Sequence, residues 1–198
     1  MRKITAILLF IFLASCANYS VLQQKQSAVS VNVFCAKGGF SGSDVIISNK
    51  YVITAKHVLK CKDELRTIHV KTFDGEVFEA VFDKEVQDDV ARLFVTSSDF
   101  RNSVFLTETV SVGDTVCAVF PRRGYKQFCG AVTKKFTDRI HAKISGEFGD
   151  SGSPLFDEDG RIVGILITRY GEFVTAVPVW VWKTLEVTSE PNVFGVWP

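Results

Sequence analysis

The chain has 198 residues, 46% of them hydrophobic and 17 of them phenylalanine, with a formal net charge of +1 at neutral pH. That length covers one ordinary domain or two small lobes sharing a core, and the apolar content is enough to fill it. A balanced charge, with no basic stripe interleaved with aromatics, argues against a nucleic-acid partner.

The N-terminus reads as an export signal over residues 1–15. Arg2 and Lys3 supply a short positive region, and Ile4 to Ala14 is almost wholly apolar. A run of about a dozen apolar residues is too short to span a bilayer comfortably but suits a signal h-region. The competing reading is a buried N-terminal strand or helix. Leu13-Ala14-Ser15-Cys16 resembles the lipobox of bacterial lipoproteins, in which the cysteine becomes the acylated first residue; an ordinary cleavage near Ser15 or Ala17 would instead leave Cys16 incidental. Several acyl chains would hold the protein to a lipid bilayer permanently. Ala17, in place of an acidic residue, resembles outer-membrane sorting in enveloped bacteria. Residues 17–32 are polar, so 16–32 is expected to be a lipidated tether.

Five cysteines are present. Assigning Cys16 to lipid leaves Cys35, Cys61, Cys117 and Cys129, and in an oxidising compartment four cysteines allow three connectivities. No CxxC pair occurs among them, so no zinc site, other metal or cofactor is expected.

From Val33 onward short strands alternate with turn signals. Val45-Ile46-Ile47 and Tyr51-Val52-Ile53 flank Ser48-Asn49-Lys50. Thr67 to Phe73 alternates, Asp74-Gly75 turns, and Val77 to Phe82 alternates back. Val90 to Val95 is a further apolar strand. In the second half Val116 to Phe120, Phe128 to Val132, Ile140 to Ile144, Leu155-Phe156, Ile162 to Thr168 and Phe173 to Val177 follow, with a short helix expected over Val179 to Leu185. This is the pattern of an all-β sandwich or barrel, and pattern alone does not choose between them.

Gly149-Asp150-Ser151-Gly152-Ser153-Pro154 carries the strongest chemical signal. A nucleophilic serine must project from a sharp turn whose own N–H groups aim at the same point, and glycines beside it permit both. The amides of Gly149 and Ser151 are then candidates for an oxyanion hole. Serine needs a base, and the base needs a partner to fix its tautomer. Thr54-Ala55-Lys56-His57 puts an imidazole at a strand exit, and Asp89-Val90-Ala91-Arg92-Leu93 opens another strand with a carboxylate.

In this order and these strings the chain resembles the trypsin-like (chymotrypsin-fold) serine peptidases, particularly the bacterial Deg-type and glutamyl-endopeptidase branches. The matching residues are Thr54-Ala55-x-His57, Asp89-Val90-Ala91-x-Leu93, the 149–154 string, Val163-Gly164-Ile165 and Ala176-Val177-Pro178, with similarity from about Ser41 to Leu185. The resemblance implies an all-β fold of two six-stranded antiparallel β-barrels with a short C-terminal helix. The domain would cover 33–198, with barrel 1 near 33–108 and barrel 2 near 109–185. It implies a catalytic triad of His57, Asp89 (by its spacing to Val90-Ala91, over Asp88) and Ser151 in the cleft between them. It also implies disulfides Cys35–Cys61, a displaced version of one in animal members, and Cys117–Cys129, across neighbouring strands; free thiols are the alternative.

In animal zymogens the aspartate before the serine is neutralised by a new N-terminus. Nothing here resembles that start, so an internal cation (Arg122, Arg123 or Arg139) is expected to pair Asp150. Ser145, Thr168 and Arg169 are the candidates for the substrate pocket. No aspartate stands at Ser145, which argues against Lys or Arg preference, and Leu166 stands where glutamyl endopeptidases carry a histidine. Arg169 would either read an acidic substrate, narrow the pocket or be a solvated rim charge. With no PDZ-sized extension after Leu185, a monomer is expected. The leading expectation is a serine endopeptidase acting on protein or peptide substrates; the alternative is a non-catalytic binding protein on the same fold.

Overall fold

Period-two patterning governs the chain. In β1 (Ala28–Cys35), Val29, Val31, Val33 and Cys35 all turn into one apolar core, as alternation in a half-buried strand requires. The computed structural model describes residues 21–61, 64–97, 100 and 104–183. The expected signal segment 1–15, Cys16 and the end of the expected C-terminal helix lie outside them.

β1 joins β2 (Gly38–Ile46), β3 (Tyr51–Ala55), β4 (Leu65–Lys71), β5 (Val77–Val86) and β6 (Val90–Val95) in a closed barrel of order β1-β2-β3-β6-β5-β4. A second closed barrel, of order β10-β11-β12-β9-β8-β7, contains β7 (Thr115–Phe120), β8 (Lys126–Lys135), β9 (Ile140–Ala142), β10 (Pro154–Phe156), β11 (Ile162–Tyr170) and β12 (Phe173–Pro178). Neighbouring strands within each are antiparallel. The two six-stranded barrels are those the resemblance implied. Among the described residues no helix is long and apolar enough to cross a membrane.

The start of the domain differs from the expectation. Residues 21–27 form a helix, α1, and β1 opens at Ala28 rather than Val33. Residues 28–32, expected within a tether, are instead the first strand, paired to β2 and β4. Ser30 and Asn32 made the stretch read as polar, yet they occupy the outward positions of an alternation whose valines are buried.

Each barrel has its own apolar filling, and a third cluster joins them. Val45, Ile53 and Val90 of barrel 1 meet Val119, Phe156, Ile162, Ile165 and Val177 of barrel 2. The short helix α2 (Val179–Trp182) closes this cluster: Trp182 is fully buried and its indole N–H donates to the Val177 carbonyl at 3.2 Å. Cys35 is bonded to Cys61, and Cys117 to Cys129, its directly paired residue across β7 and β8. The first bridge closes a 26-residue separation that includes His57, a constraint worth about 3 kcal/mol on the chain-entropy model.

One buried group opposes the fold. Asp44 on β2 is fully buried, and neither carboxylate oxygen has a hydrogen-bonding partner among the described residues. Thr54, its partner across β2 and β3, donates its hydroxyl to the Ser43 carbonyl. Burial pushes the Asp44 carboxyl up to about 8, because a charge without water or a counter-ion is costly. The folded state therefore holds this proton more tightly than the unfolded chain. Stability should fall as pH rises from about 4 to about 8, by up to about 1.4 kcal/mol per pH unit from this group alone. Asp44→Asn should flatten that slope and be more stable than the parent at pH 8, measured by urea unfolding across the range.

Candidate active site

The pairing of β3 with β6 dictates one half of the site. Ala55 lies opposite Val90, so the residues just past the end of β3 and just before β6 must emerge side by side. His57 sits there in a 3-10 turn, Lys56–Leu59, and Asp89 ends a second such turn, Gln87–Asp89. Both oxygens of Asp89 are used on His57: Oδ1 accepts the backbone N–H at 2.9 Å and Oδ2 faces ring Nδ1 at 2.5 Å. Burial raises the Asp89 carboxyl, but these bonds and the His57 charge outweigh it and hold it below the usual carboxylate range.

Asp88 and Asp89 both have φ near +69°, a left-handed conformation that aspartate tolerates better than most residues. That turn sends the two carboxylates apart. Asp88 reaches barrel 2, where Arg139 Nη2 lies 3.4 Å from its Oδ1. Of the two carboxylates, Asp89 is the one that lies against His57.

Barrel 2 presents the Gly149–Pro154 string. The Asp150 N–H donates to the Glu147 carbonyl at 3.2 Å with Gly149 at φ +91°, the positive φ that a type II turn needs at its third residue. Gly152 also has φ +91°, and a Cβ there would fall 1.6 Å from the Ser43 carbonyl oxygen. Barrel 1 thus touches the backbone beside Ser151. Ser43 binds this turn twice: its N–H donates to the Ser151 carbonyl at 2.8 Å and its hydroxyl to the Gly149 carbonyl at 3.2 Å. Sequence reasoning missed Ser43, which carries no motif of its own. The Ser151 hydroxyl makes a long bond, 3.4 Å, to the Ile167 carbonyl.

A cleft of about 470 Å³ joins these parts; 146–151 and 166–171 line it together with His57 and Val174. Thr168 and Arg169 are in its wall, whereas Ser145 is not among the lining residues, which begin at Gly146. Its carbonyl instead accepts from Arg123 Nη1 at 3.1 Å. Among the described residues no group of three His, Cys, Asp or Glu side chains is placed to hold a metal.

Arg123 is the cation beside Asp150. Its guanidinium lies 3.5 Å from Asp150 and 3.3 Å from Glu147, stacked 4.1 Å from the Phe128 ring centroid. Arg122 sits against Gly149 and reaches the Ser41 carbonyl, and Arg139 belongs to Asp88. Burial raises the Asp150 carboxyl, while the Glu147 backbone N–H and Arg123 partly restore its charge.

This is the architecture of the two-barrel peptidases, and the chain belongs to the trypsin-like peptidase domain family, whose model matches residues 40–165. Among curated proteins it is similar to a "Probable periplasmic serine endoprotease DegP-like" of Pseudomonas fulva (strain 12-X), 31% identical over 149 residues, or 67% of this chain. The chain spans only 30% of that relative's length. A crystal structure of the serine endoprotease from Yersinia pestis shares the fold, with a TM-score of 0.76 at 21% identity, covering 86% of this chain and 65% of the other.

Arg123→Gln would leave Asp150 buried without its cation. Removing one partner of a buried charged pair should cost about 2 kcal/mol at neutral pH, and the added change Asp150→Asn should recover part of that. A double-mutant cycle by urea denaturation at pH 7 reads both numbers; additive losses would refute the pairing.

Proposed function

We propose that this chain is an exported serine endopeptidase with His57, Asp89 and Ser151 as its triad. The observation that carries the reading is the Asp89 carboxylate fixed by both oxygens on His57, which lines the same cleft as Ser151. A carboxylate on Nδ1 leaves Nε2 as the proton acceptor and favours the imidazolium once formed.

In the proposed reaction the Ser151 hydroxyl turns from the Ile167 carbonyl toward Nε2, a contact that commonly tightens only with substrate bound. His57 takes the proton as Oγ attacks the peptide carbonyl. The amides of Gly149 and Ser151 receive the developing oxyanion, a term worth about 2.7–4 kcal/mol per donor in related chemistry. His57 then protonates the leaving amine, and water, activated by the same base, releases the acyl group.

A fluorophosphonate probe tests this directly. The parent protein should be labelled at Ser151, Ser151→Ala should not be labelled, and Asp89→Asn should be labelled by about 10⁴-fold more slowly. A folded parent that resists the probe would make the chain a binding protein on a peptidase scaffold.

Export rests on the charged start and apolar run of residues 1–15, and on the word periplasmic in the name of the curated relative. Membrane anchoring rests on Leu13-Ala14-Ser15-Cys16 alone. With the anchor, the protein should incorporate labelled palmitate and partition into membranes. Cys16→Ser should abolish both, and palmitate incorporation that survives the change would exclude this anchor.

A further inference from the structure

The cleft beside Ser151 has an uneven distribution of charge. Two carboxylates line it, Glu147 and Asp150, and Arg123 holds both, at 3.3 and 3.5 Å. A cationic substrate side chain entering here meets acids already neutralised. Arg169 also lines the cleft, and it pairs with no carboxylate among the described residues. Arg122, next to Gly149, likewise pairs with no carboxylate among the described residues and donates to the Ser41 carbonyl.

The course of the Arg169 side chain decides what its charge can reach. Its root is on β11, opposite Val174. Its stem runs over Gly146, where an added Cβ would lie 3.4 Å from Arg169 Cβ and 3.8 Å from its Cδ. The guanidinium ends 4.4 Å from the centroid of the Phe148 ring. The side chain therefore bridges the two walls of the pocket, from the 167–169 strand to the 146–149 turn. A Cβ at Gly146 would meet the stem at ordinary contact distance and would crowd Val174 instead, at 3.0 Å, while Phe148 lies against the planar head. The stacked face leaves the N–H edge of the guanidinium free to donate, the geometry suited to gripping a carboxylate with two parallel bonds. Arg169 and Phe148 are both exposed, Phe148 at 89%, so the guanidinium faces the solvent from which a substrate would enter.

We propose that Arg169 makes this cleft selective for an acidic side chain on the residue whose carbonyl Ser151 attacks. The proposal rests on the peptidase reading given above. Leu166, three residues earlier on the same strand, carries no titratable group, so the selectivity here rests on the permanent charge of Arg169. It should therefore not decline with pH as imidazole deprotonates.

The test uses the full chain in detergent and five peptides differing only at that residue: Glu, Asp, Gln, Ala and Lys. The Glu peptide should exceed its Gln counterpart in kcat/KM by about tenfold or more, and that ratio should hold from pH 6 to 9. Arg169→Gln should bring the ratio close to one, and Arg169→Glu should turn the preference toward the Lys peptide. The ratio is insensitive to a general loss of activity, which moves both peptides alike. Equal cleavage of Glu and Gln peptides by the parent, or an unchanged ratio in Arg169→Gln, would overturn the proposal while leaving the triad standing. Probe labelling of Ser151 with none of the five peptides cut would overturn it as well. Failure of both labelling and cleavage would remove the peptidase reading and this proposal with it.

Discussion

The backbone bond from Ser43 to the Ser151 carbonyl joins parts of the site that neither barrel could supply alone. His57 and Asp89 are placed entirely by barrel 1, through the β3–β6 register. Ser151 sits on a turn of barrel 2, whose Leu166 carbonyl holds the Gly152 N–H at 2.7 Å. Their relative position depends on how closely the barrels approach. At Gly152 that approach leaves no space for a methyl group. A hydrogen bond of this kind contributes only about 1 kcal/mol, so the apolar cluster between the barrels supplies most of the cohesion, and the bond supplies the register.

Three carboxyl groups near this junction show how environment divides one chemistry into three roles. Asp44, surrounded by barrel interior, is a neutral acid through much of the physiological range. Asp89, with both oxygens on His57, stays ionised despite partial burial. Burial raises the Asp150 carboxyl, and a backbone amide and a stacked arginine offset part of that. Only the second is a group the proposed reaction uses; the third shapes the turn that would receive the oxyanion. The first has no role that its contacts explain.

Most strands were legible because alternation and turn residues mark them, as at Thr67–Phe73 and Val90–Val95. The His57, Asp89 and Ser151 strings were legible because sharp turns and strand exits demand particular residue types. β1 was not, since Ser30 and Asn32 gave it a polar average while its period-two valines were the real signal. Ser43 was not, because its role depends on a barrel more than a hundred residues away in sequence. Asp150's cation was narrowed to three arginines, and only the fold could separate them: Arg123 follows β7, Arg122 points to Ser41, and Arg139 crosses to Asp88. Ser145 was placed by counting back from Ser151, and counting does not register that the lining of the cleft starts one residue later, at Gly146, with the Ser145 carbonyl held by Arg123.

The early start of the fold also fixes a length. With α1 occupying 21–27 and β1 beginning at Ala28, a lipid attached at Cys16 would lie five Cα–Cα steps, at most about 18 Å, from residue 21. Such an attachment would keep the domain next to the bilayer surface.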